Sequence, residues 1–218
     1  MTVVAGMALA AGLLPASPAS AAESQNPAIT ATVEADVRAR MTTTGVSAAT
    51  QDVLMAKLHA GQALDSFGGG EPARVFTETV GNQTRTVKEY ADGSRVTTSL
   101  QTPAKSGGVS TQANLSGCAT SGSWKINCKV SIVDAVSEAK FIIDYQTSTS
   151  GAAKVRDYRG ASCGNTVGGC SQSGGIVRAT QSSAGAAWAR QTYKANIGPI
   201  QVEGEYGIRV SGTSVTTY

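Results

Sequence analysis

The stretch Cys118–Tyr145, CATSGSWKINCKVSIVDAVSEAKFIIDY, gives the clearest indication of the fold. From Asn127 onward, polar and apolar residues alternate, as expected of strands with one buried face. Asp134–Ser137 interrupts the run. A helix is compatible with part of the stretch, but its β-branched content favours strands. We predict two strands joined by a short connection, with these side chains sharing the core face: Cys128, Val130, Ile132, Ala139, Phe141, Ile143 and Tyr145.

The sequence after this stretch also predicts β-strands. Alternating runs cover 153–158, 176–180 and 186–197, and a last run after Pro199 has its apolar residues in one phase. Gly160–Gly175 is rich in Gly and Ser, so we predict a loop there. About seven short strands with turns between them indicate a β-sandwich or small barrel. We assign residues 114–218 to this carboxy-terminal β-sandwich domain.

The four cysteines predict two disulfides in an exported chain. Three connectivities are open, and we favour Cys118–Cys128 and Cys163–Cys170 because each pair closes a turn-rich segment. Zinc is the rival explanation. The spacings do not match zinc motifs and the single histidine lies far away in the sequence. We therefore expect no metal and no cofactor.

The amino terminus predicts export. Residues 1–22 carry no charge, and an apolar core is followed by Ala19-Ser20-Ala21. This pattern is typical of a signal peptide cleaved after Ala21 or Ala22. A transmembrane anchor is the alternative, but the apolar run is short and is followed by Pro and Ser. We expect a secreted, extracellular protein.

Residues 23–101 predict a small helix plus β-meander module. Ser47 is a plausible N-cap for a helix over 48–60, and 32–41 is a second helical candidate. Turn sequences separate three strand-like segments. The module has few large apolar residues, so we expect it to lean on the second domain or on a partner. A linker over 102–113 follows. The predicted strands are Arg74–Val80, Thr84–Tyr90 and Arg95–Gln101.

Charge is low and evenly spread. Residues 23–113 carry eight basic and nine acidic side chains, and residues 114–218 carry ten and six, giving the net charge of +3. There is no basic run, and the basic residues alternate along predicted strands. This pattern is typical of a solvated strand face and argues against a nucleic-acid site.

Several short motifs in the amino-terminal module resemble a module of secreted actinobacterial proteins of uncertain function. They are Gly45-Val46, Lys57-Leu58, Gly61, Asp65-Ser66, Pro72 and Tyr90-Ala91-Asp92-Gly93-Ser94. A small module joined to a cysteine-bearing β-domain is also similar in plan to the adaptor subunit of the umbrella toxin particles of such bacteria. The resemblance implies an adaptor in an extracellular toxin complex, and it transfers no functional residue.

Little catalytic chemistry is open to this chain. His59 is the only histidine, and it falls near the end of the predicted helix, where a solvated or capping role is expected. Asp144 and Asp157 lie in successive predicted strands and could come within about 5 Å of each other, as glycosidase carboxylates do. Because Arg156 and Arg159 flank Asp157, we expect ion pairing instead.

We predict a non-enzymatic protein-binding or adaptor component whose partners are other secreted proteins, with neither nucleic acid nor membrane involved. Strand addition to an exposed edge is the expected binding mode. Trp124 either packs inward on the disulfide or stands exposed beside Lys125. A glycan or cell-wall binding module, a secreted inhibitor, a hydrolase and a pro-segment ending near residue 105 are alternatives. The predicted binding residues are Trp124, Lys125, Tyr145 and Tyr158.

Overall fold

The computed structural model describes residues 29–103 and 117–218, which form two antiparallel sheets with two helices at one end. The predicted signal peptide and most of the predicted linker lie outside these residues. The helices are α1 (Ala31–Thr43) and α2 (Ala48–His59), followed by a 3-10 turn (Asp65–Phe67). The strands are β1 (Arg74–Val80), β2 (Gln83–Glu89), β3 (Arg95–Gln101), β4 (Ala119–Ser121), β5 (Trp124–Val133), β6 (Ser137–Gln146), β7 (Lys154–Asn165), β8 (Cys170–Arg178), β9 (Ala187–Ile197), β10 (Ile200–Ser211) and β11 (Ser214–Thr217).

Strand pairing joins the two halves of the chain. The first sheet has the order β1-β2-β3-β5-β6-β7, and β4 pairs with β5; the second has the order β11-β10-β9-β8. Thr97–Leu100 of β3 pairs with Val130–Val133 of β5. The β-meander therefore extends a sheet of the carboxy-terminal region, which supplies the support that its thin core needs. The division into two domains remains a prediction.

The core lies between the two sheets and follows the predicted alternation. Cys128, Val130 and Ile132 of β5 are buried, and so are the predicted residues of β6. On β9, Ala187, Ala189, Gln191, Tyr193, Ala195 and Ile197 are buried, and the residues between them are more exposed. The mainly β, disulfide-bridged sandwich is confirmed, with β-branched and aromatic side chains packing across the two facing sheets.

The predicted loop over Gly160–Gly175 is wrong. Strand β7 continues to Asn165 and β8 begins at Cys170, so only four residues connect them. Glycine serves close packing here: a Cβ on Gly174 would lie 2.4 Å from the Arg190 carbonyl oxygen and 2.6 Å from the Tyr158 hydroxyl. A glycine-rich segment can therefore form a β-strand at a place where another main chain approaches closely.

Both predicted disulfides are confirmed. Cys118 bonds to Cys128 and Cys163 bonds to Cys170, so the described part of the chain has no free cysteine. The first bridge ties the residue before β4 to β5 within one sheet. The second ties β7 of the first sheet to β8 of the second, at the end of the sandwich where α1 and α2 lie.

The helices close the end of the sandwich that carries the β2–β3, β5–β6 and β9–β10 turns. The Ser47 side chain caps α2 by accepting a hydrogen bond from the Thr50 N–H, as predicted. Gly61, just after α2, lies beside Pro199 in the β9–β10 turn. Arg95 of β3 donates to the main-chain carbonyls that follow α1. Val37, Met41, Leu54, Met55, Leu58, Leu64 and Phe67 are buried beneath this cap.

A polar clamp holds α2 on the β2–β3 turn, and we define it as Lys57, Asp65, Asp92 and Ser94. The Lys57 ammonium lies 3.0 Å from Asp65 and 2.7 Å from Asp92. Asp65 and Asp92 each accept a hydrogen bond from the other's main-chain N–H, and Ser94 donates to Asp92. The clamp residues lie among the quoted motifs, which therefore meet in space.

Acid is expected to weaken this clamp. Burial alone raises the pKa of Asp92, but hydrogen bonds from the Asp65 N–H, Lys57 and Ser94 outweigh it and lower the pKa to about 2. A carboxylate whose pKa is lower in the folded state stabilises the fold fully at pH values above its unfolded-state pKa, near 4. That contribution is lost as the pH falls to about 2. The melting-temperature difference between wild type and Asp92→Asn should therefore shrink between pH 5 and pH 2.

The matched control is Asp36→Asn, which makes the same charge change at an exposed position of α1 outside the clamp. This variant is expected to leave the melting temperature nearly unchanged, as surface substitutions usually do. Ionisable groups outside the clamp are common to wild type and variant, so their titration cancels in the difference. A wild-type to Asp92→Asn difference that stays constant between pH 5 and pH 2 would contradict the clamp.

A buried carboxylate joins the two sheets at the same end. Asp134 in the β5–β6 turn is 1% exposed and accepts hydrogen bonds from the Val136 and Ser137 N–H groups and from the Ser137 hydroxyl. Its second oxygen accepts one from the Tyr193 hydroxyl of β9, 2.7 Å away. Burial raises the pKa of Asp134, although these hydrogen bonds oppose the shift. The interruption seen in the sequence is thus a tightly held turn.

Candidate functional site

Strand β1 is a free edge of the first sheet. It pairs with β2 in unbroken register over seven residue pairs, from Arg74–Glu89 to Val80–Gln83, and no other described strand pairs with it. Gly81 and Asn82 form a two-residue turn, and Gly81 has a φ of +60°. A positive φ at the first turn residue favours glycine and matches the twist of a hairpin.

The hairpin geometry tells which main-chain groups of β1 point away from the sheet. In a two-residue hairpin the residues next to the turn exchange hydrogen bonds, and bonded and non-bonded pairs then alternate along the strands. Val80 and Gln83 form the first bonded pair on this basis. The N–H and C=O groups of Val75, Thr77 and Thr79 are therefore expected to point outward, where they can receive another strand.

Two features near this edge could hold the side chains of an added strand. Val75 and Val80 are 55% and 44% exposed and lie on opposite faces of β1. A groove of about 460 Å³ lies beside Thr77, on the face that turns toward the second sheet. Seven of its ten lining residues are threonines, and the other three are Leu100, Tyr145 and Val215.

Each edge strand of the second sheet is either short or has a strand of the first sheet beside it. Strand β8 lies next to β7, to which the Cys163–Cys170 disulfide ties it. Strand β11 has only four residues, and Thr217 contacts Thr86 of β2 with 3.1 Å between the two hydroxyl oxygens. Strand β8 is also long and largely exposed, but β7 packs beside it, whereas β1 has no such second neighbour among the described strands.

Three of the four predicted binding residues lie near the opposite end from the helices. Trp124 is half-buried and the Arg156 guanidinium stacks on its ring, 4.0 Å from the centroid. Lys125 donates to the Thr120 hydroxyl at 3.0 Å. Tyr145 pairs with Lys125 across the strands but is only 4% exposed, so its side chain is part of the interior.

Tyr158 also turns inward. Its ring lies 4.8 Å from that of Phe141, and its hydroxyl donates to the Gln191 side-chain oxygen at 3.2 Å. Burial raises the pKa of Tyr158. The structure therefore brings together Trp124, Lys125 and Tyr145 but not Tyr158, and the Cys163–Cys170 bridge lies at the other end of the sandwich.

The two carboxylates considered for catalysis are held by arginines. The Arg156 Nε lies 3.7 Å from Asp144 and 3.3 Å from Asp157, and the Arg159 guanidinium lies 3.0 Å from Asp144. Asp144 also accepts a hydrogen bond from the Asn127 N–H at 2.9 Å. The expected ion pairing is confirmed, and a carboxylate with these partners serves to hold three strands together.

Two β-bulges create this cluster. Asn127 and Asp157 have φ values of +57° and +56° and are the non-glycine residues with positive φ in the described part of the chain. The register of β5 on β6 shifts between Lys125 and Cys128, and that of β6 on β7 shifts next to Asp144. A bulge re-aims the side chains that follow it. This explains why Tyr158 points inward although the alternation predicts an exposed position.

Other catalytic and metal-binding combinations can be assessed for residues 29–103 and 117–218. His59 lies 3.1 Å from Glu34, with which it can form an ion pair when protonated. No group of three or more His, Cys, Asp or Glu side chains that could hold a metal ion occurs among these residues. No helix among them is long and apolar enough to cross a membrane.

Comparisons of the chain with models of protein families, with curated proteins and with solved structures find no match.

Proposed function

We propose that this protein is a non-enzymatic adaptor that binds another protein by strand addition at β1. The observation that carries the proposal is the seven-residue free edge with its exposed valines. Adaptor function within a multi-protein extracellular assembly, suggested by the resemblance in plan to umbrella toxin particles, is part of the same proposal. The expected partners are other secreted proteins.

The physical basis is the set of main-chain groups that β1 leaves without a strand partner. An edge strand of this length is a template for pairing, and natural proteins block such edges with proline, lysine, bulges or short strands. Over its seven residues, β1 has no proline, lysine or bulge, and its charged residues are Arg74 and Glu78. Main-chain hydrogen bonds would give affinity, and the groove beside Thr77 would select the side chains of the added strand.

The state of the half-buried aromatic residues favours this function over glycan binding. A glycan platform needs aromatic rings with free faces. Arginines lie over Phe76, Trp124 and Trp188, with the Arg156 guanidinium closest, 4.0 Å from the Trp124 ring centre. These stacked pairs support the adaptor as the better proposal.

Export is part of the proposal. Two disulfides in the described residues fit an oxidising compartment, where such bonds form and persist. The uncharged residues 1–22 with their Ala19-Ser20-Ala21 sequence supply the expected route.

The test compares Thr77→Pro with Thr77→Ala in the full chain. Proline removes an outward N–H that a partner strand would use, while the pairing of β1 with β2 does not require that group. Alanine keeps the N–H and removes the side chain. Tagged proteins are incubated with the culture medium of the source organism, and captured proteins are identified by mass spectrometry. We expect one protein, captured stoichiometrically by wild type and Thr77→Ala, to be lost with Thr77→Pro.

Hydrogen exchange locates the contact. In the complex, the amides of Val75, Thr77 and Thr79 should become protected, because they are the groups expected to point outward. Protection confined to Trp124 and its neighbours, or equal capture by both variants, would contradict strand addition. Circular dichroism of Thr77→Pro confirms that the variant remains folded before its capture is scored.

A further inference from the structure

A polar row crosses the outer face of the first sheet, on the side that turns away from the second sheet. The pairing registers place Arg85 opposite Ser99, Ser99 opposite Ser131, Ser131 opposite Lys140, and Lys140 opposite Ser162. Long basic side chains thus flank short hydroxyl side chains. Arg85 and Lys140 are three strands apart, which is about 14 Å at the backbone.

This row forms the floor of a groove of about 300 Å³. Lys129 of β5 lines it as well, one pleat away from Ser131, and the end of α1 borders it at Thr43 and Thr44. The volume is at the lower end of the range for small-molecule sites, so a ligand about the size of a monosaccharide fits. The pairing of β3 with β5 creates the groove, because its lining comes from both halves of the chain.

The basic side chains of the groove have no carboxylate of the described residues within 4.0 Å, although the register places Glu78 of β1 opposite Arg85, whose guanidinium donates to the Gln83 side chain. Within the described residues, Arg85, Lys129 and Lys140 form no ion pair. Glu138 is the acidic residue among those lining the groove, and it lies 3.5 Å from Arg40 of α1. The segment 104–116 contains no aspartate or glutamate in its sequence. Three cations therefore converge on one polar surface.

A second observation at the same place points to a ligand. Thr97 lines the groove and is only 7% exposed, and its hydroxyl oxygen is buried without a hydrogen-bond partner among the described residues. Buried polar groups without a partner are rare in folded proteins because leaving them unpaired is unfavourable. A hydroxyl placed this way gains a partner when a ligand with acceptor oxygens enters and the side chain rotates toward it.

We propose that this groove binds the oxyanion of a phosphate or sulfate ester carried by a saccharide-sized molecule. Arginine presents a planar set of donors that matches a tetrahedral oxyanion, and lysine adds a point charge. With the hydroxyls of Ser99 and Ser131, the groove offers more donors than the two oxygens of a carboxylate can use. The site is separate from the β1 edge and does not depend on strand addition.

The test is a titration of the ¹⁵N-labelled full chain with glucose 6-phosphate, glucose 6-sulfate and uncharged glucose. We expect the esters, and not glucose, to shift the amide signals of Ser99, Ser131 and Lys140. The tighter of the two esters identifies the group that the site prefers. Binding should weaken with added salt, because charge attraction at a partly exposed site is screened.

Variants separate the groove from general basic attraction. Arg85→Gln and Lys140→Gln should each weaken ester binding about tenfold, the loss expected for one charge-assisted hydrogen bond. Lys154→Gln makes the same charge change at an exposed position outside the groove and should leave affinity unchanged. Thr97→Val should weaken binding while the melting temperature stays equal or rises, because the unpaired hydroxyl is removed.

Several results would overturn the proposal. These are equal binding of glucose and its esters, shifts scattered over the basic surface, or a loss of affinity with Lys154→Gln as large as that with Lys140→Gln. Amide spectra of every variant confirm that the fold is intact, so an unfolded variant is not scored as a loss of binding. The strand-addition test reads a different surface, so either proposal can fail alone.

Discussion

Replacing Asp134 by alanine is expected to lower the free energy of unfolding by about 4 kcal/mol. The change leaves two main-chain N–H groups and the hydroxyls of Ser137 and Tyr193 without their acceptor. Each buried donor left unpaired costs about 1–3 kcal/mol, and removal of the desolvated carboxylate offsets part of the sum. Domain stability is typically about 5–15 kcal/mol, so the variant should be close to unfolding.

Equilibrium unfolding in urea measures this effect, with Asp134→Asn as the matched control. Asparagine keeps one oxygen for the main-chain donors of the turn, so it should lose less than half as much stability as alanine. Tyr193→Phe isolates the bond between the sheets, since it removes one donor and leaves the turn intact. An alanine variant that is as stable as the asparagine variant would show that the carboxylate does not organise this turn.

Replacing Phe141 by alanine is expected to destabilise the protein by about 4 kcal/mol through loss of buried area and formation of a cavity. Phe141 is fully buried between the sheets, with its ring 4.8 Å from that of Tyr158 and 5.6 Å from that of Tyr206. Both tyrosine hydroxyls donate to the Gln191 side-chain oxygen. Removing the ring between them takes away the surface on which this hydrogen-bonded group is packed.

The control for this prediction is Phe141→Leu, which keeps most of the apolar volume and should cost about 1–1.5 kcal/mol. Urea unfolding gives both values, and similar slopes of the unfolding curves would show that the denatured states are comparable. Equal stability of the alanine and leucine variants would mean that the surrounding side chains collapse into the space. In that case the aromatic contacts contribute less than their geometry indicates.

Local patterns in the sequence predicted the strands well. The alternation through Cys128–Ile132 and Ala139–Tyr145 places side chains on the faces where the structure has them, because burial of one face imposes a period of two. The cap at Ser47 and both disulfides follow from similarly local signals. What these signals have in common is that their partners are near in sequence.

Features that depend on distant partners were harder to predict. The glycines of β8 indicated a loop, since nothing in the sequence shows that Arg190 and Tyr158 approach Gly174. The bulge at Asp157 reverses the orientation expected for Tyr158, the next residue of the same strand. A single register shift changes which residues share a face. For the same reason, the sequence does not predict the basic groove, which depends on the pairing of β3 with β5.

The sequence predicts strand addition as the binding mode, but it does not identify which strand forms the exposed edge. The sequence predicts Arg74–Val80 as a strand with the bounds that the structure has. Its position at the edge of the sheet depends on the order of strands, which the local sequence does not contain. Exposed aromatic residues often anchor interfaces, and on this ground the sequence predicts Trp124 as a binding residue. The stacked Arg156 comes from β7, beyond what a local pattern can reveal.

The contacts of the last strand bear on how the chain reaches this structure. Thr86 contacts Thr217 across 131 residues of sequence, and the Thr98 hydroxyl donates to the main-chain oxygen of Tyr218 across 120. Closure of such long loops restricts the chain before any favourable contact forms. Topologies with many distant pairings fold on the order of milliseconds to seconds. Because the strands that cover the inner face of β3 come last in the sequence, this face can be covered only after β11 has been made.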